Sequence, residues 1–74
     1  MLKKYLNAKD LNCPLPLLKT KLSLSELNSG EILEITATDP TSWEDFASYA
    51  KISGNKLNHA DKKDGKFVYR IEKK

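Results

Sequence analysis

The segment Glu31 to Thr38 (EILEITAT) constrains the fold more than any other part of the chain. Read with period two, it puts Leu33, Ile35 and Ala37 on one face and Ile32, Glu34 and Thr36 on the other, the pattern of a strand with one covered face. A single strand cannot bury such a face, so the chain needs further strands beside it and a layer above it. Leu33, Ile35 and Ala37 are expected to point toward that layer.

Lys66 to Glu72 (KFVYRIE) repeats the pattern, with Phe67, Tyr69 and Ile71 on one face and Val68 and Arg70 on the other. Asp64 and Gly65 before it are a hairpin signal, which makes the weaker segment Lys56 to Lys62 its antiparallel neighbour. Lys4 to Lys9, with Tyr5 as its best strand former, reads as a short first strand.

The covering layer comes from two helical segments. The first is expected from Cys13 or Pro14 to about Asn28, with Gly30 as its stop signal. Its residues Leu17, Thr20, Leu24 and Leu27 share one face by their spacing of three and four. Leu15, Leu18 and Leu22 form a second stripe, which is either the flank of a wide buried face or an exposed docking stripe. The second helix is expected from about Thr41 to Ser53. Asp39, Pro40 and Ser42 supply its turn and cap, Trp43, Phe46, Ala47 and Ala50 its apolar side with Tyr49 nearby, and Gly54 with Asn55 its end. The order is strand, helix, strand, helix, strand, strand. It predicts an α+β fold, a two-layer sandwich with two helices on one face of a four-stranded mixed sheet.

With 74 residues, the sequence has room for one domain spanning 1–74 and none for a deep enclosed cavity, so its chemistry belongs near the surface. The 39% hydrophobic and 31% charged content is that of a folded globular chain. The net charge of +3 is the balance of ten acidic residues and thirteen basic ones spread along the chain, twelve of them lysine. That pattern serves solubility and lacks the arginine-rich, aromatic-interleaved look of a base-reading module, so direct nucleic-acid binding is not expected. No run approaches the roughly 18 apolar residues of a membrane span, and no leader pattern opens the chain. A cytoplasmic location is expected, where a free thiol persists.

Cys13 is the sole cysteine and His59 the sole histidine, which leaves neither an internal disulfide nor a zinc site, and no cofactor is called for. On chemistry alone Cys13 has two readings: an inert buried cysteine, or a reactive thiol at a helix start. The setting Cys13-Pro14-Leu15-Pro16 is costly for packing and suited to reactivity, and by itself leaves both readings open. Prolines fit a first helical turn, whose amides have no helical partner. With Cys13 at the N-cap, the Leu15 amide and the positive end of the helix would face the sulfur and lower its pKa. His59 reads as a surface or hydrogen-bonded structural residue, Trp43 and Tyr49 as core or rim residues, and Lys62, Lys63, Lys66, Lys73 and Lys74 as a solvated face.

Cys13-Pro14-Leu15-Pro16 directly after a first strand resembles the hallmark of the TusA family (SirA-like) of sulfur carriers. The likeness extends through Leu11, Gly30-Glu31, Asp39-Pro40, Asp45 and Asp64-Gly65, and so covers nearly the whole chain. It implies the same two-helix, four-strand fold. It also implies that Cys13 accepts sulfur as a persulfide from a donor such as a cysteine desulfurase and passes it to an acceptor protein, with sulfurtransferase character and no bound cofactor. Pro14 and Pro16 are then supporting residues. Asp39, which by position reads as a helix cap, gains a second role in orienting the Cys13 loop or a partner. In some members the sulfur reaches transfer RNA thiolation, in others molybdenum cofactor or dissimilatory sulfur metabolism. Asn12 stands where many members have arginine, and Leu15 where the transfer-RNA branch has glutamate. The alternative reading is a non-catalytic interaction or regulatory domain of the same fold.

Overall fold

A computed structural model describes residues 2–74, with side chains from residue 4 onward. Its elements are β1 (Leu2–Ala8), α1 (Leu15–Ser25), β2 (Ile32–Ala37), α2 (Ser42–Ser53), β3 (Lys56–Lys63) and β4 (Lys66–Glu72). The strands form one mixed sheet in the order β1-β2-β4-β3. β1 and β2 run parallel, and the other two pairings are antiparallel.

Register explains the core. Leu6 lies beside Ile35 and Ile35 beside Tyr69, while Ala8, Ala37 and Phe67 form the next row and Leu33 with Ile71 a third. These rows share one pleat face, and Leu24 and Phe46 of the two helices close over them. The face expected of β2 is the buried one: Leu33, Ile35 and Ala37 are each fully buried. β3 is a charged outer edge, where exposed Lys56, His59, Asp61, Lys62 and Lys63 discourage pairing with another chain.

The turns follow local backbone chemistry. Asp10 (φ 65°) makes the left-handed step after β1, and Asp64 (φ 52°) with Gly65 (φ 76°) closes the β3–β4 hairpin. Gly54 (φ 83°) ends α2 as a left-handed cap, as its position predicts.

Both helices depart from the sequence expectation. α1 begins at Leu15 with Pro14 as its N-cap, so neither Cys13 nor Pro14 is a helical residue, and Pro16 is N2 instead of N3. The Leu15 amide is the reason: it closes a turn onto the Asn12 carbonyl (2.8 Å) before the helix starts. α1 stops at Ser25, short of Asn28, where Glu26 and Leu27 make tighter three-residue bonds to Ser23 and Leu24. Gly30 is not its stop signal. It donates to the Lys73 carbonyl (2.8 Å) in the turn that leads into β2. Lys73, expected in a solvated face, is half-buried, and its ammonium donates to the Leu24 carbonyl (3.0 Å) at the negative end of α1.

In α2 the inward row is Ser42, Phe46 and Tyr49, whereas Trp43 is 43% exposed and Ala47 is exposed as well. Ser42 earns its buried place by sharing a hydrogen bond with the Tyr69 hydroxyl (2.7 Å), which leaves neither hydroxyl unpaired. Phe46 stacks on the Tyr69 ring at 4.3 Å between centroids. Trp43 lies as a rim residue near Phe67 and Tyr69 at 6.1 and 6.2 Å.

Candidate functional site

Parallel pairing of β1 and β2 brings Ala8 beside Ala37, so the two connections that follow leave the sheet together. In open sheets of this kind, sites form outside the carboxyl ends of parallel strands. The two connections are cross-bonded here. The Asp10 amide donates to Thr38 Oγ1 (2.8 Å), and the Cys13 amide donates to Asp39 Oδ2 (2.6 Å).

Asp39 holds both sides of the junction. Besides the Cys13 amide it accepts from the Thr41 amide (3.1 Å) and the Thr41 hydroxyl (2.9 Å). These bonds to the ionised form hold its carboxyl below the usual aspartate value, with the Thr41 amide as the largest cause. The helix cap expected of Asp39 is not formed: Thr41 is the N-cap of α2 and no side chain caps that helix, while the Asp39 oxygens bond the Cys13 amide and Thr41 in the turn before it.

Cys13 is exposed. Its thiol donates to Asp45 Oδ2 at 3.3 Å, and Asp45 is the fourth residue of α2. The hydrogen bond to Asp45 is the largest cause that raises the thiol pKa above its ordinary value, followed by desolvation and the Asp45 charge. A hydrogen bond from Thr41 acts in the opposite direction, and the charge of Asp39 adds to the rise. This reverses the sequence expectation of a more acidic thiol. The Leu15 amide is committed to Asn12, Pro16 has no amide hydrogen, and a carboxylate stands beside the sulfur.

Pro14 and Pro16 follow the thiol, with a cis peptide between Cys13 and Pro14. Pro16 is also buried, and its carbonyl accepts from the buried Thr20 hydroxyl (2.8 Å). Leu15, Leu18 and Leu22 are 46%, 47% and 69% exposed, so the stripe that begins beside the thiol lies open. His59 is not drawn into this junction; it is exposed on β3, the edge strand at the far side of the sheet from β1. Among the described residues no group of three or more His, Cys, Asp or Glu side chains could hold a metal ion.

The family model described as Sulfurtransferase TusA matches residues 4–73. The chain belongs to the TusA family. A TusA relative, the sulfur carrier protein TusA of Allochromatium vinosum, is 46% identical over 68 residues, 92% of this chain and 90% of that protein. The sulfur carrier protein TusA of Pseudomonas entomophila is 33% identical over 69 residues, 93% of this chain and 86% of that one. The crystal structure of a SirA-like protein from Desulfitobacterium hafniense superposes with a TM-score of 0.82. It is 21% identical and covers 95% of this chain and 96% of its own, a likeness that establishes the TusA-type fold.

The residue whose part the sequence did not disclose is Asp45. The resemblance to TusA proteins included it without giving it a task. The available signal was a pair of acids, Glu44 and Asp45, in the first turn of a helix that follows Asp39.

Proposed function

We propose that this protein carries sulfur as a persulfide on Cys13, taking it from a donor such as a cysteine desulfurase and delivering it to an acceptor protein. The observation that carries the reading is an exposed thiol anchored where two parallel strands end, in a chain of the sulfur-carrier family. An open position suits an atom that must meet the active sites of two different proteins, and no deep pocket is required for so small a cargo. The single domain spanning residues 1–74 works in a reducing compartment, with no resident cofactor. The exposed Leu15, Leu18 and Leu22 beside the thiol are consistent with protein partners, and sulfur bound for a nucleic acid is handed over by the acceptor protein.

Mass spectrometry after incubation with a desulfurase and labelled cysteine tests the reading. Wild type is expected to gain one reductant-sensitive sulfur, and Cys13→Ser none. The variant should keep its fold, because the main-chain amide still donates to Asp39 and a serine hydroxyl can donate to Asp45 as the thiol does. Reductant-sensitive label on folded Cys13→Ser would refute the role of Cys13. An unlabelled wild type across several desulfurases would favour the interaction-domain alternative.

A further inference from the structure

We propose that Asp45 governs the reactivity of Cys13, fixing the unloaded thiol against the start of α2 and receiving its proton when sulfur is loaded. The proposal rests on the carrier reading of Cys13. Its basis is a division of labour between two carboxylates. Asp39 is occupied by the Cys13 amide and by Thr41, so it fixes the main chain, whereas Asp45 engages the sulfur itself. An exposed thiol is free to face water, yet this one is directed at a carboxylate 32 residues away in sequence. Asp45 is half-buried in the first turn of α2.

The charged groups that act on the sulfur are Asp45 and Asp39, with the Thr41 hydroxyl beside them. Lys9 and Asp10 on the β1–α1 connection are not among them, and the first turn of α1 (Leu15 to Leu18) carries no charge. Among the described residues no cation acts on the sulfur to offset the two carboxylates, and this favours the protonated thiol in the free carrier. Such a thiol resists alkylation and oxidation until a persulfide arrives.

Loading balances without an oxidant or reductant. The Cys13 sulfur attacks the outer sulfur of the donor's persulfide anion, so a new S–S bond forms at Sγ and the donor's S–S bond breaks. The electron pair of the broken bond stays on the donor's cysteine sulfur. The Cys13 proton crosses to Asp45 Oδ2 and then to that released sulfur, leaving a Cys13 persulfide anion and a donor thiol.

The test is the pH dependence of Cys13 alkylation by iodoacetamide in wild type, Asp45→Asn and Glu44→Gln, with sulfur loading from a desulfurase and cysteine measured in parallel. Asp45→Asn is expected to lower the alkylation midpoint. Each pH unit of that fall raises the thiolate fraction about tenfold and lowers its nucleophilicity about threefold, for a net gain of about threefold in rate at neutral pH. Glu44→Gln removes a neighbouring first-turn charge without touching the sulfur and should follow wild type. Loading of Asp45→Asn should be slower despite its more acidic thiol. Superimposable alkylation profiles for Asp45→Asn and wild type, or unimpaired loading of the variant, overturn the proposal. A wild-type midpoint at or below the unperturbed value of about 8.5 does so without any variant. A wild type that alkylates as expected but takes no sulfur from the desulfurase or from inorganic polysulfide counts against the carrier reading instead.

Discussion

The two helices start at the same end of the sheet and are built in opposite ways. α1 opens on Pro14 and Pro16, with no acid in its first turn. α2 follows Asp39 and carries Glu44 and Asp45 in its first turn. A helix start presents unpaired amides and partial positive charge. α2 meets them with carboxylates, while α1 has prolines at two positions that contribute no amide hydrogen. The comparison teaches that the dominant influence on the thiol comes from the neighbouring helix. The sulfur lies just before α1, but the group bonded to it belongs to α2.

The seating of α2 is the strongest place to break that arrangement. Phe46→Ala removes a fully buried ring stacked on Tyr69 and should cost about 3–5 kcal/mol in denaturant unfolding. If α2 places Asp45, the alkylation profile of Cys13 in this variant should also drift toward that of Asp45→Asn. A stability loss with an unmoved profile would separate the seating of the helix from control of the thiol.

Tyr69→Phe is a subtler cut at the same helix start. It leaves the buried Ser42 hydroxyl without its partner, at an expected cost of about 1–3 kcal/mol measured by thermal or chemical unfolding. The double variant Ser42→Ala/Tyr69→Phe should recover part of the loss, since no unpaired hydroxyl remains.

Asp39→Asn should weaken the junction in a pH-dependent way. The folded-state pKa of Asp39 is depressed, so its contribution to stability is full above the ordinary value of 3.8 and is lost as pH falls through the lower folded value. The gap in melting temperature between wild type and Asp39→Asn should therefore be open at neutral pH and close in strong acid. A gap that does not change with pH would mean that the bonds to Cys13 and Thr41 do not depend on ionisation.

The smallest effect is expected from the outer face of α1. Leu22 is 69% exposed, and Leu22→Ala should change unfolding stability by no more than about 0.5 kcal/mol. A loss of several kcal/mol would show that the stripe supports the fold, whereas a neutral variant with impaired loading by a desulfurase would mark it as a partner contact.

Much of the architecture was legible because burial on strands follows a strict period of two. Leu33, Ile35, Ala37, Phe67, Tyr69 and Ile71 are buried as the alternation requires, and the Asp64-Gly65 hairpin lies where its residues allow left-handed backbone. Helix boundaries and helix rotation were less legible. Ser42 is a polar residue that any pattern of apolar positions assigns outward, and only the hydroxyl of Tyr69, 27 residues away, makes its burial favourable. Gly30 carried the expected left-handed backbone but served a different turn. Its partner is the Lys73 carbonyl, beyond the reach of any local signal.

The site divides along the same line. The sequence by itself determined that one cysteine, followed by prolines at alternate positions, would stand at the mouth of a helix, because proline's missing amide and fixed φ are local properties. It likewise determined that acids would gather at the start of the second helix, where they complement the dipole. Only the tertiary structure decided that Asp39 would grip the Cys13 amide and Asp45 the thiol. Those contacts span 26 and 32 residues and exist because β1 and β2 pair in parallel, so that their carboxyl ends deliver both connections to one place. The direction of the thiol's pKa shift was decided there too. A local helix end favours the thiolate, but a nearby carboxylate that accepts its hydrogen bond favours the thiol, and at 3.3 Å the carboxylate prevails.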